Sequence, residues 1–319
     1  MRHTALRGLL VGLALLGLVS CDATWQTPGL SGVTPQARPA EPEANAPRPS
    51  ARSRALATYY GRFQADLLVQ GLLRRDGGGP DTPFTDTALI RNFETIALRD
   101  EYVRGEGFRR SNGEFSRIKR WHKPVRVVAE FGESVAADQR ARDVALLSNY
   151  VSRLDRITGH PIAMASERDA NFHVLFIGQD DQAQIKPRIQ ELVPNVNPTA
   201  LQIFDSLPRA IHCLVIAFSE EPGGYTYGTA IALVRAEHPD LLRQSCIHEE
   251  VAQGLGLAND SPRARPSIFN DDDEFALLTT HDELLLKILY NPRIRAGMSA
   301  AEARPIVTDV ARGLLGVGS

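Results

Sequence analysis

Apolar side chains recur at helical spacing from Leu56 to Leu73, at Leu56, Tyr60, Phe63, Leu67, Val69 and Leu72, and Asp76-Gly77-Gly78-Gly79-Pro80 ends the pattern. A second helical pattern runs from Thr85 to Tyr102. The period then changes. Val125 to Phe131 has the composition of a strand, and a helix follows near Asp138 to Ile157 with Leu146, Leu147, Tyr150, Val151 and Leu154 on one face. His173 to Ile177 and Ala210 to Phe218 are apolar runs of strand length, and after Pro222-Gly223-Gly224 a last strand spans about Tyr227 to Val234. From Asp240 the pattern is helical through Leu257, and another helix covers about His281 to Tyr290. Strands and helices in this order predict an α/β or α+β sheet domain with its last two helices packed beneath the sheet.

The N-terminus has a different pattern. Arg2 and Arg7 precede an apolar run from Leu9 to Val19 that contains no charge, the layout of a secretory signal. A membrane-spanning helix needs about 20 apolar residues, and this run is roughly half that before Cys21 and Asp22 end it. Leu18-Val19-Ser20-Cys21 resembles the lipobox of bacterial lipoproteins, which implies acylation of Cys21 and cleavage before it. Asp22 is similar to an inner-membrane retention signal that holds only in some lineages. From Asp22 to about Ser53 the chain is rich in Pro, Ala, Gly and Arg with few large apolar residues. Such a segment cannot offset its ordering entropy and reads as a disordered tether, long enough to hold the folded part on the order of 30 Å from a lipid surface.

Composition narrows the partners. A net charge of -2 with interspersed signs gives no basic stripe, which argues against nucleic acid. With Cys21 lipidated, Cys213 and Cys246 remain. In an oxidising compartment they form either a disulfide, worth roughly 3 kcal/mol, or two buried thiols.

Cys246-Ile247-His248-Glu249-Glu250-Val251-Ala252-Gln253-Gly254-Leu255-Gly256-Leu257-Ala258-Asn259-Asp260 is the stretch richest in candidate chemistry. On a helix Ile247, Val251 and Leu255 form a buried stripe, while Glu249 and Gln253 lie four apart on another face with Glu250 beside them. The arrangement resembles the His-Glu-x-x-His helix of zinc proteases, with Glu250 where the general base stands and Glu249 and Gln253 where two imidazoles would be. His248 points roughly 100° away from Glu249. Gly256, then Asn259-Asp260, fall where metzincin proteases have a turning glycine and a third ligand. Ser267-Ile268-Phe269 resembles their Met-turn with Phe in place of Met, and Leu278-Thr279-Thr280-His281-Asp282-Glu283 on to Leu289-Tyr290 is similar to a closing helix. These likenesses imply an α+β, metzincin-like (zincin) mixed sheet with an active-site-type helix and a closing C-terminal helix, preceded by a helical extension. The expected divisions are signal 1–21, tether 22–54, helical extension 55–110 and metzincin-like domain 111–319.

From about Tyr59 to Met298 the chain also resembles a proteobacterial family of proteins often described as lipoproteins. Gly77-Gly78-Gly79, Asn92-Phe93, Glu249-Glu250-Val251-Ala252-Gln253, Gly256-Leu257, Ile268-Phe269-Asn270-Asp271 and Asn291-Pro292-Arg293 carry that likeness, which implies no activity.

A neutral amide is a poor zinc ligand and a carboxylate a hard one. A set of Glu249, Gln253, Asn259 and Asp260 is all oxygen, which admits calcium or magnesium and requires no other cofactor. Alternatively these groups bond one another as the remnant of a protease site. Asn270-Asp271-Asp272-Asp273-Glu274 could bind a hard cation but reads first as a solvated loop, and His281 beside Asp282 is a ligand or proton-shuttle candidate at what is more simply a helix start. The expected function is therefore a membrane-anchored envelope lipoprotein whose non-catalytic domain binds a peptide or envelope partner. Its alternatives are an active peptidase with Glu250 as general base, and an envelope-structure protein acting through its N-terminal helices.

Overall fold

Side-chain caps fix where most of the helices begin. Ser50 accepts from the backbone N–H of Ser53 and opens α1 (Ala51–Val69), and Thr85 does the same for Ala88 at the start of α2 (Asp86–Leu98). The computed structural model describes residues 48–103 and 109–316. The expected signal segment, the lipidation site Cys21 and the tether up to residue 47 lie outside the described residues. Helix α1 begins at Ala51, so the last residues of the expected tether, from Ala51, are helical.

Two strands, β1 (Arg120–Trp121) and β2 (Val125–Phe131), lead into α3 (Ala137–Thr158), which ends at Gly159 in the left-handed conformation. Next come β3 (Ile162–Met164), β4 (Phe172–Ile177), α4 (Gln182–Leu192), β5 (Cys213–Ser219) and β6 (Thr226–Arg235). Three helices complete the chain: α5 (Asp240–Gly254), α6 (Thr280–Leu289) and α7 (Ala300–Leu315). The sheet runs β1-β6-β4-β2-β3 with all of these pairs parallel, and β5 is added antiparallel on the other side of β6. The fold is α+β, with a largely parallel sheet and one antiparallel edge strand.

Layers follow from side-chain alternation. Phe172, Val174 and Phe176 of β4 and Ala230, Ala232 and Val234 of β6 point to the face covered by α2, α3, α5, α6 and α7. Leu175, Ile231, Leu233 and Leu214 point to the other face, where Ile185 and Ile189 of α4 and Leu201 and Phe204 cover them. Strand β4 is buried on both faces, which explains its continuous apolar run. Leu89, Phe93 and Ile96 of α2 are fully buried in the first core, so α2 is integral to the sheet domain although it falls in the expected 55–110 extension.

Gly256, the glycine expected to turn the chain after α5, has φ +125, and a Cβ there would collide with the carbonyl oxygen of Lys119. Only glycine tolerates both conditions. The chain passes through that gap into the 258–279 loop, which returns beside α5 and closes one wall of a groove.

Candidate functional site

Strand β6 delivers the chain into α5 through a buried turn, and Ile247, Val251 and Leu255 anchor the helix under the sheet, as their spacing predicts. That stripe turns Ser245, Glu249, Glu250 and Gln253 toward a cavity of about 470 Å³. The antiparallel edge strand supplies one wall through Cys213, Val215 and Ala217. Asp260, Ile268, Asn270, Asp271 and Asp273 supply another, and Glu101, Tyr102 and Arg110 stand at one end. Six carboxylates thus face one space with a single arginine among the lining residues, and Arg110 is already paired with Glu101 at 3.1 Å.

Cys213 Sγ and one carboxylate oxygen each from Glu249 and Glu250 lie within 4.8 Å of one another, a grouping that could hold a metal ion. The sulfur is not a free thiolate. Cys213 is bonded to Cys246 with S–S 2.04 Å, which ties the edge strand to the floor helix. The sequence left these two cysteines as either a disulfide or two thiols, and they are a disulfide. Glu250 is 4% exposed, and its Oε2 has no hydrogen-bond partner among the described residues. Burial, reinforced by Glu249 and Asp260, pushes the Glu250 carboxyl well above the usual carboxylate range. Burial followed by Asp260 and Asp271 does the same to Glu249. Asp260 is pushed up to about 8 by burial and by the nearby charges of Glu101 and Asp271.

The four ligand candidates do not meet at one point. Gln253 Nε2 donates to Asp260 Oδ1 at 3.3 Å, so those two are engaged with each other. Asn259 points its amide to the carbonyl of Thr95 on α2 at 3.0 Å and serves to hold the loop. Glu249 instead finds Glu250, the residue assigned to the base, as its nearest partner for a shared ion. Among the described residues no histidine joins that grouping. His248 is buried on the opposite side, where its Nδ1 accepts from the backbone N–H of Leu278 at 3.1 Å and burial lowers its pKa to about 3.

Sequence reasoning missed Glu101, Asp271 and Asp273 as groove residues. The acidic run 270–274 is exposed as expected at Asp271, Asp272 and Asp273, yet two of its members also look into the groove mouth. Asp272 accepts from Asn270 Nδ2 and Glu274 N, and Glu274 is bound by Arg74 and Arg265, which orients the run. His281 is no proton shuttle to this groove. It is fully buried, 3.1 Å from Asn92 Nδ2, while Asp282 caps α6 and accepts from Ser267 Oγ and the Ile268 N–H.

A family model described as a protein of unknown function, DUF2927, matches residues 86–309. The chain belongs to the DUF2927 family. No curated protein and no solved structure matches it. The DUF2927 match takes in every residue that lines the groove, from Glu101 to Phe275, and excludes α1. Among the described residues of this DUF2927 chain no helix is long and apolar enough to cross a membrane.

Proposed function

We propose that this DUF2927 chain is an envelope lipoprotein, anchored through Cys21, whose zincin-like domain is non-catalytic and binds an extended peptide segment of an envelope partner in the groove between β5 and α5. One observation carries the reading. Three of the four groups standing where a protease would hold its metal are engaged elsewhere, Gln253 with Asp260 and Asn259 with Thr95, and no histidine joins Glu249 among the described residues. The frame around them supports a zincin-like origin: a mixed sheet whose antiparallel edge strand borders the groove, a helix leading out of β6, a glycine turn at Gly256, and a turn at 267–269 seated on a closing helix. Among the described residues strand β5 pairs with no strand but β6, so its outer edge offers backbone groups to an extended segment. Asp271 and Asp273 at the mouth favour a segment with basic side chains.

The test uses the full chain purified in detergent against a peptide library. Binding without cleavage is expected, with basic peptides preferred, and Ala217→Arg, which fills the groove beside β5, abolishes it. Cleavage by the wild type that disappears in Glu250→Ala would establish the alternative, an active peptidase with Glu250 as base.

A further inference from the structure

Glu249 and Glu250 are consecutive on α5, where neighbouring residues diverge by about 100°. Their carboxylates nevertheless bend to within 4.8 Å of each other beneath Cys213. No hydrogen bond reaches the buried Oε2 of Glu250 among the described residues, and that side chain faces the cavity. Burying the Glu250 carboxylate beside a second carboxylate, with no donor to its Oε2 among the described residues, is costly, and a native site relieves it with a proton or with a cation. The arginine in the lining, Arg110, is held by Glu101. Among the described residues no side-chain cation is therefore left to neutralise the pair.

We propose that Glu249 and Glu250 bind a hard divalent cation of the calcium or magnesium kind on the groove floor, with water completing its coordination. The donor chemistry selects the class. The third atom of the grouping is a disulfide sulfur, which lacks the thiolate charge that draws soft metals, so the anionic donors are oxygen alone. Asp260 is engaged with Gln253 across the floor and is not a direct ligand. Calcium accepts irregular carboxylate and water shells, and magnesium keeps several waters on one or two carboxylates, so either ion suits a two-carboxylate floor. This site lies in the groove of the proposed function but is independent of what binds above it, because the ion is read with no peptide present.

Calorimetric titration of the chelator-treated full chain in detergent with CaCl2 and with MgCl2, against KCl of matched ionic strength, tests the assignment. Expected is saturable binding of one divalent ion per chain, with proton release that shows as a heat differing between buffers of unlike ionisation enthalpy. Glu250→Gln and Glu249→Gln each weaken binding by about tenfold or more, as losing a charged ligand does, whereas the exposed Asp76→Asn binds like the wild type. Glu249 is only half-buried, so its variant decides the matter if Glu250→Gln fails to fold. Heats no different from KCl would overturn the assignment, as would unchanged affinity in the folded glutamate variants. Loss of peptide binding with ion binding intact would count against the groove's proposed partner and leave the ion site standing.

Discussion

At the scale of single residues, the groove acids make stability depend on pH in a direction opposite to that of most paired carboxylates. Asp260, raised from 3.8 to about 8, keeps its proton in the folded chain over a range in which the unfolded chain has lost it. Its contribution is complete below the unfolded value and is lost as pH rises through about 8. Glu249, Glu250 and Glu101 are raised by burial and act in the same sense. His160, His212, His238 and His248 are lowered by burial and act oppositely, but only below their ordinary value of 6.5. Above that value the acids stand alone. The urea midpoint is thus expected to fall between about pH 6.5 and 8.5, and Asp260→Asn is expected to flatten the fall. A midpoint that rises over this interval would contradict the burial-driven rise of these acids. The sequence made Glu249, Glu250 and Gln253 legible as a cluster because a helix fixes which side chains share a face. It misassigned Asn259 because no periodicity governs a loop beyond a glycine turn, and a carbonyl of α2, 164 residues earlier, captures its amide.

At the scale of elements, the 267–269 turn and α6 act as one unit through Asp282. This fully buried carboxylate accepts from Ser267 Oγ at 2.6 Å, Ile268 N at 3.0 Å, Thr279 N at 3.0 Å and Thr279 Oγ1 at 2.8 Å. Asp282→Ala strips an acceptor from several buried donors at once, each worth about 1 kcal/mol or more, and is expected to cost roughly 3 kcal/mol or more in chemical denaturation. Asp282→Asn keeps part of the acceptor capacity and is expected to cost less. Equal, small losses in both variants would mean that the turn is held by packing alone. The likeness of Leu278 to Glu283 to a closing helix made this unit legible, and the structure adds the reason that Asp stands at its third helical position, a reciprocal cap with Thr279. The elements that escaped the sequence reading carry weak signals. Strand β3 has three residues. Helices α4 and α7 each contain a proline, Pro187 and Pro305, and α7 is buried mainly through small side chains, Ala303 and Ala311 with Val307 between them. Tertiary packing overrides local preference at such places.

At the scale of the whole molecule, two cysteine features 192 residues apart in sequence argue for one compartment. The Cys213–Cys246 bond closes a span of 33 residues and contributes roughly 3 to 4 kcal/mol by restricting the unfolded chain. Such bonds persist in oxidising surroundings, where the export signal proposed to end at Cys21 would deliver the protein. If attachment there rests on lipid, two substitutes must fail. Among the described residues no helix can span a bilayer, and a net charge of -2 gives no general attraction to anionic headgroups. Acyl chains, by contrast, contribute about 0.8 kcal/mol for each buried methylene whatever the ionic strength. The wild-type chain is therefore expected in the membrane fraction, resistant to high salt, released by detergent and labelled by palmitate. Cys21→Ser removes the acyl acceptor and leaves the groove and its disulfide untouched, so the variant should lose the label while unfolding at the same urea concentration in detergent. A Cys21→Ser chain that takes up no palmitate yet still resists salt extraction as the wild type does would mean that the apolar run from Leu9 to Val19, and not a lipid, holds the protein to the membrane.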